Sequence, residues 1–141
     1  MMEINMLPVN NGDCIHIRFS DSFGIHNIVV DSGPSTAKRK FRSLLYHIYE
    51  SGEVIDLLCF SHIDDDHIRA AAQIIPEEKY VDQSFIKTLW LNIGKDVPLR
   101  QEPKNYLELS VHNASELYSP LKRANISVIT DVVAGMKIPL G

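Results

Sequence analysis

The sequence predicts an α/β fold with helices packed on a mixed sheet, and three observations carry that prediction. Two strand-like runs, Glu3 to Val9 and Asp13 to Phe19, are joined by Asn10-Asn11-Gly12, a turn signal that reads as a hairpin. Further along, short β-rich runs alternate with segments of helical periodicity. The 141 residues are 45% hydrophobic with no second block of composition, which suits one domain over residues 1–141.

The elements follow in order. A third strand, Ile25 to Val30, comes after the turn Asp21-Ser22-Phe23-Gly24 and completes a three-strand meander. Ser35 or Thr36 caps a helix whose Phe41, Leu44, Leu45 and Ile48 recur at i, i+3, i+4 and i+7, with Lys38, Arg39, Arg42 and Glu50 facing out and Gly52 ending it. Ile55 to Phe60 is a buried strand. A short helix then presents Ile68, Ala71, Ala72 and Ile75 to the core and stops at Pro76. Thr88 to Ile93 reads as a strand, Lys95 to Lys104 with Pro98 and Pro103 as a long loop. Ser110 or Asn113 opens a helix carrying Leu117, Leu121 and Ala124, closed by Asn125, and Ile126 to Val133 is the last strand.

Composition narrows the function classes. A formal charge of −4 gives no overall electrostatic footprint for nucleic acid, although a local basic patch is compatible with it. No apolar run approaches the ~20 residues of a membrane span, and Met1 to Asn5 lacks the regions of a signal peptide, so a soluble cytoplasmic protein is expected. Cys14 and Cys59 lie in apolar runs and read as buried free thiols.

The chemistry concentrates behind the Ile55 to Phe60 strand, where Ser61-His62-Ile63-Asp64-Asp65-Asp66-His67 sets two imidazoles and three carboxylates in a short loop. His62, Asp64 and Asp66 fall at every second position, on one side of an extended loop, and His67 begins a helix. These are the candidate metal ligands. Imidazole with carboxylate leans towards zinc, manganese or iron, without choosing among them. The plainer alternative is an acidic helix start, with Asp65 or Asp66 accepting from the first backbone amides, but it leaves both histidines unexplained. Asp65 itself either caps or supports a ligand. His16, His26 and His47 are isolated and read as surface or strand-face residues, and Trp90 and Tyr106 as packing residues. Asp31, before Ser32-Gly33, either bonds the ligand loop or only ends its strand in a turn.

His62-x-Asp64-x-Asp66-His67 resembles the H-x-H-x-D-H signature of the metallo-β-lactamase fold, in a variant with an acid in the second histidine position. It is similar to the metallo-hydrolase domain of competence DNA-uptake channel proteins. Asn11 to Ile17, with Gly12-Asp13, is similar to the segment that opens the second strand of that family, and Asp31-Ser32-Gly33 to its strand-ending motif. The resemblance covers about residues 3 to 94. It implies the first βα half of an αββα sandwich with a mixed sheet, the second half coming from further chain, from a partner, or from a second copy in a homo-oligomer. His112 is the sole histidine after His67 and stands before the place expected for a later ligand.

The resemblance also implies roles. His62 and Asp64 would hold one divalent cation, zinc or manganese before iron, and Asp66 and His67 another, with Asp66 orienting the attacking water as the catalytic residue. Phosphodiester hydrolysis, as in a nuclease or phosphodiesterase, is the first substrate class, since paired cations stabilise both attacking and leaving oxygens. Nucleic acid and other small hydrolysable substrates are the candidates, and no membrane is implied. Arg69-Ala70 replaces the family's Gly-Gly, placing either a phosphate-binding cation or a solvated arginine beside the loop. Two other classes stay open: an interaction or packing domain that keeps the loop without catalysis, and a diiron redox protein needing a flavin partner.

Overall fold

A computed structural model of the chain describes residues 1–92 and 106–140, with the backbone alone given for residues 106–113. Six strands form one mixed sheet in sequence order: β1 (Met2–Met6), β2 (Ile15–Ser20), β3 (Ile25–Val30), β4 (Ile55–Phe60), β5 (Ile86–Leu91) and β6 (Ser127–Ile129). β1, β2 and β3 pair antiparallel as the expected meander, and β3 to β6 pair parallel. Each parallel step needs a crossover, supplied by α1 (Lys38–Glu50), α2 (Asp65–Ile74) and α3 (Tyr106–Arg123). Because the strand order runs in one direction and such crossovers are right-handed, all three helices fall on one face of the sheet.

That face is the core. Cross-strand neighbours Val29, Leu58 and Leu89 are buried beneath the helices. α1 contributes Phe41, Leu45 and Ile48, three of its four predicted apolar positions, each burial stabilising by about 1.5–3 kcal/mol. α2 lies between α1 and α3 and buries Ala70 and Ile74 besides Ile68, Ala71, Ala72 and Ile75. Its alanines let it sit close to its neighbours. α3 buries Ala114, Leu117 and Leu121, with Ala124 half-buried just beyond it.

The opposite face carries the rows Ile4, Ile17, Ile28, Leu57, Thr88 and Met6, Ile15, Val30, Cys59, Trp90, Ile129. It is almost wholly apolar and no described element covers it. Parallel sheets ordinarily have both faces covered, so this face is built to pack.

Several boundaries depart from the sequence reading. β1 ends at Met6, and Val9 is buried in the turn rather than in the strand. β2 starts at Ile15, because Asp13 and Cys14 belong to the approach from the turn. Ser35 does not cap α1 through its side chain; a single 3-10 turn, Ser35–Ala37, leads into the helix instead. β5 begins at Ile86 and β6 is three residues long, so residues 130 to 133 are not strand. The expected loop at 95–104, and Ile93, lie outside the described residues, as do the side chains of Tyr106 and His112.

Candidate metal centre

The carboxyl ends of the parallel strands face the β3–α1 and β4–α2 connections, the usual place for a ligand site in an open α/β sheet. Asp31, immediately after β3, takes φ +60, a left-handed conformation that Asp tolerates better than most residues. There it is only 2% exposed, and its carboxylate points at the neighbouring loop. Asp31 Oδ1 accepts the backbone N–H of Ser61 at 2.7 Å, and Oδ2 accepts the Ser61 hydroxyl and the His67 ring at Nδ1, the latter at 2.9 Å. Both of its oxygens are engaged. Of the two roles left open by the sequence, the hydrogen bond to the ligand loop is the one observed.

Ser32 and Gly33 continue the clamp. Ser32 N–H and Oγ donate to the His67 carbonyl at 2.7 and 3.0 Å, Ser32 Oγ accepts from Ala71 N–H, and Ala70 N–H donates to the Gly33 carbonyl. Gly33, at φ +81, has no room for a Cβ against Ala37 and Val9. The strand-ending Asp-Ser-Gly therefore fixes the first turns of α2 and, through them, His67.

His67 is held for a purpose that its geometry makes plain. A ring that donates Nδ1–H to a buried carboxylate has its tautomer and plane set, with Nε2 left as the free donor of an electron pair. Nε2 lies 3.5 Å from Asp66 Oδ1, and the His62 ring centroid is 5.1 Å from that of His67. Partial burial of the His67 ring works to lower its pKa, yet the Asp31 hydrogen bond and the charges of Asp31, Asp66 and Asp13 raise it above the ordinary histidine value.

The predicted ligands are thus partly brought together. His62, Asp66 and His67 face one another, whereas Asp64 is the N-cap residue of α2 at φ −66 and ψ 152, with no side-chain cap bond. The expectation of a helix starting near His67 and capped by Asp65 or Asp66 is corrected: α2 starts at Asp65, and the Asp64 carbonyl receives His67 N–H and Ile68 N–H at 2.9 and 3.2 Å. Alternation along an extended loop consequently ends at Asp64, and Asp66 and His67 diverge as helical neighbours. Asp65 stands in the first helical turn.

Sequence reasoning missed one carboxylate. Asp13, from the β1–β2 connection, comes together with Asp31 and His67 so that one donor atom of each lies within 4.8 Å of the others. Its signal was a polar Gly-Asp pair closing a turn ahead of an apolar strand, which reads equally well as turn chemistry alone. The tempting residues elsewhere are in other roles. Arg69 Nη1 lies 3.5 Å from Glu116 Oε2, tying α2 to α3. His16 and His26 are buried strand-face residues in polar networks remote from the loop in the fold, and His47 is exposed on α1. Burial and the Asp31 charge push the Cys14 thiol up to about 12, and the same causes raise Cys59, so neither offers a thiolate ligand at neutral pH.

The donor set fits a divalent cation. His67 Nε2, the His62 imidazole and the Asp66 carboxylate converge, with His67 already carrying the carboxylate partner typical of a metal-binding histidine. Residues 22–85, spanning β3 to the start of β5 and containing both the Asp31 clamp and the ligand loop, match the family model of the metallo-beta-lactamase superfamily. No curated protein matches the chain. Among solved structures, a metallo-beta-lactamase-type protein of Thermotoga maritima is 17% identical over 92% of this chain and 58% of its own, with a TM-score of 0.49. MEM-A1, a subclass B3 metallo-beta-lactamase from a soil metagenome library, is 16% identical over 74% of this chain and 35% of its own, at 0.41. A beta-lactamase domain protein of Burkholderia ambifaria gives 16%, 67% and 30%, at 0.42. The chain spans between about a third and three fifths of the lengths of these proteins. No helix among the described residues is long and apolar enough to cross a membrane.

Proposed function

We propose that this chain is the ligand-loop half of a metal-dependent hydrolase of the metallo-beta-lactamase type, acting on phosphodiesters. The observation that carries the reading is the Asp31–His67 hydrogen bond, which sets His67 Nε2 towards Asp66 beside His62. The match of residues 22–85 to the superfamily supports it independently. His62, Asp64, Asp66 and His67 are the ligands in this reading, with zinc or manganese as the cation. A bound divalent cation would lower the pKa of a coordinated water and polarise the scissile group.

The chain's own residues supply the remainder. Asp31 and Ser61 hold the loop, Ser32 and Gly33 hold the first turns of α2, and Asp66 is placed to accept a proton from a water between it and His67. A phosphodiester is favoured because its displacement gains from cations on both the attacking and the leaving oxygen. The likeness to the metallo-hydrolase domain of DNA-uptake channels belongs to this same proposal. The open apolar face of the sheet is where the second half, from further chain or from a partner, would pack.

Metal analysis of the purified protein, followed by hydrolysis of bis-p-nitrophenyl phosphate with added manganese or zinc, tests the proposal. Bound metal and turnover, both lost in His62→Ala/Asp66→Ala, are expected. Protein that holds no metal and turns over nothing, unchanged in that variant, overturns it. Visible iron absorption bands would point instead to redox chemistry.

A further inference from the structure

We infer that Asp13 is a metal-facing carboxylate of the same centre, delivered from the β1–β2 turn, and that it biases the centre towards hard cations such as manganese. The inference rests on the metal-dependent reading above and adds to it a residue outside both the ligand loop and the stretch matched to the superfamily. Three observations converge on it.

The turn is held against the ligand loop. At Gly12, φ +80, a Cβ would run into the Asp66 carbonyl, so glycine alone lets the turn lie directly on the first turn of α2. Leu7 N–H donates to the Cys14 carbonyl at 2.9 Å and closes the turn behind it. The next residue, Asp13, therefore has little choice of position.

The carboxylate delivered there has no partner of its own. One Asp13 oxygen lies within 4.8 Å of donor atoms of Asp31 and His67. Asp31 is occupied with Ser61 and His67, whereas among the described residues no hydrogen-bond donor reaches Asp13.

The local charge is unbalanced. Asp13, Asp31 and Asp66 all act on the single ring of His67, and no lysine or arginine pairs with any of the three. Like charges held close together without a cation disfavour their own ionised state, and a divalent cation removes that cost. Arginine is used elsewhere in the fold to neutralise carboxylates, at Arg18–Glu53 and Arg42–Glu78. Its absence here leaves the position to a metal. An added carboxylate oxygen shifts the preference of an imidazole-containing centre towards manganese relative to zinc.

Asp13→Asn keeps the size of the side chain and its tolerance of turns while removing the charge. Manganese binding to the whole chain, read from the electron paramagnetic resonance signal of free manganese, should weaken about 10- to 100-fold in Asp13→Asn. Zinc affinity should fall distinctly less, and Asp13→Glu should stay within a few-fold of the original chain. A melting temperature in chelator equal to or above that of the original chain shows that the variant folds. Manganese binding by Asp13→Asn equal to that of the original chain overturns the inference and leaves the metal-dependent reading standing. An original chain that binds neither metal overturns both.

Discussion

The two ends of the sheet carry polar networks of similar density and opposite balance. At the end where β3 and β4 begin, each carboxylate meets a partner. Arg18 bonds Glu53 through two nitrogens, Asn27 donates to Glu53 and to the Val54 carbonyl while receiving His16 at 2.8 Å, and His26 lies between Asp21 and Asp56 at 3.1 and 3.5 Å. At the end where the same strands finish, Asp13, Asp31, Asp64, Asp65 and Asp66 gather around two histidines. A network whose charges close among themselves holds the fold together. One that leaves negative charge over needs something from outside, and that difference, rather than the mere number of polar residues, marks the site.

Breaking the balanced end should alter stability and leave metal binding alone. Glu53→Ala strips Arg18 and Asn27 of their shared acceptor and should cost about 1–3 kcal/mol in denaturant unfolding. Arg18 is about one-third exposed, which places the cost towards the lower figure. Loss of manganese affinity in the same variant would erase the distinction between the ends.

A smaller effect sharpens the comparison through pH. Hydrogen bonds to Asp21 and, against its burial, to Asp56 raise the His26 pKa above its ordinary 6.5. A raised folded-state pKa means stability that is fully present below about pH 6.5 and lost as pH rises through the folded value. In chelator, the melting temperature should therefore drift down by a few degrees at most across that interval. His26→Gln should flatten the drift, and an unchanged slope would remove His26 from the balanced network.

How much of this was legible beforehand differed between the two ends as well. β3 and β4 were readable to the residue, because turn signals and a β-branched or apolar run bounded them on both sides. The ends of β1, β5 and β6 were not, since tertiary pairing decides where a strand stops. The ligand loop was visible because histidine and aspartate in such density have few uses. Asp31 was ambiguous, since its role depends on a left-handed backbone and a partner 36 residues away at His67. Asp13 was missed for a related reason: it acts through the approach of Gly12 to Asp66, a contact between segments more than 50 residues apart. The networks of His16 and His26 are likewise cross-strand and cross-loop, and isolated histidines in a sequence give no hint of them.

The account stands on one claim, that the surplus of carboxylate around His67 is balanced by a bound divalent cation. Titrating manganese into chelator-treated protein while following the melting temperature tests it most directly, because a ligand of the folded state alone stabilises by about 2.7 kcal/mol at a hundredfold excess over its Kd. The melting temperature should rise by several degrees and level off at saturation, with His67→Ala giving a flat line. A flat titration for the original chain, with neither manganese nor zinc retained after dialysis, would contradict the claim.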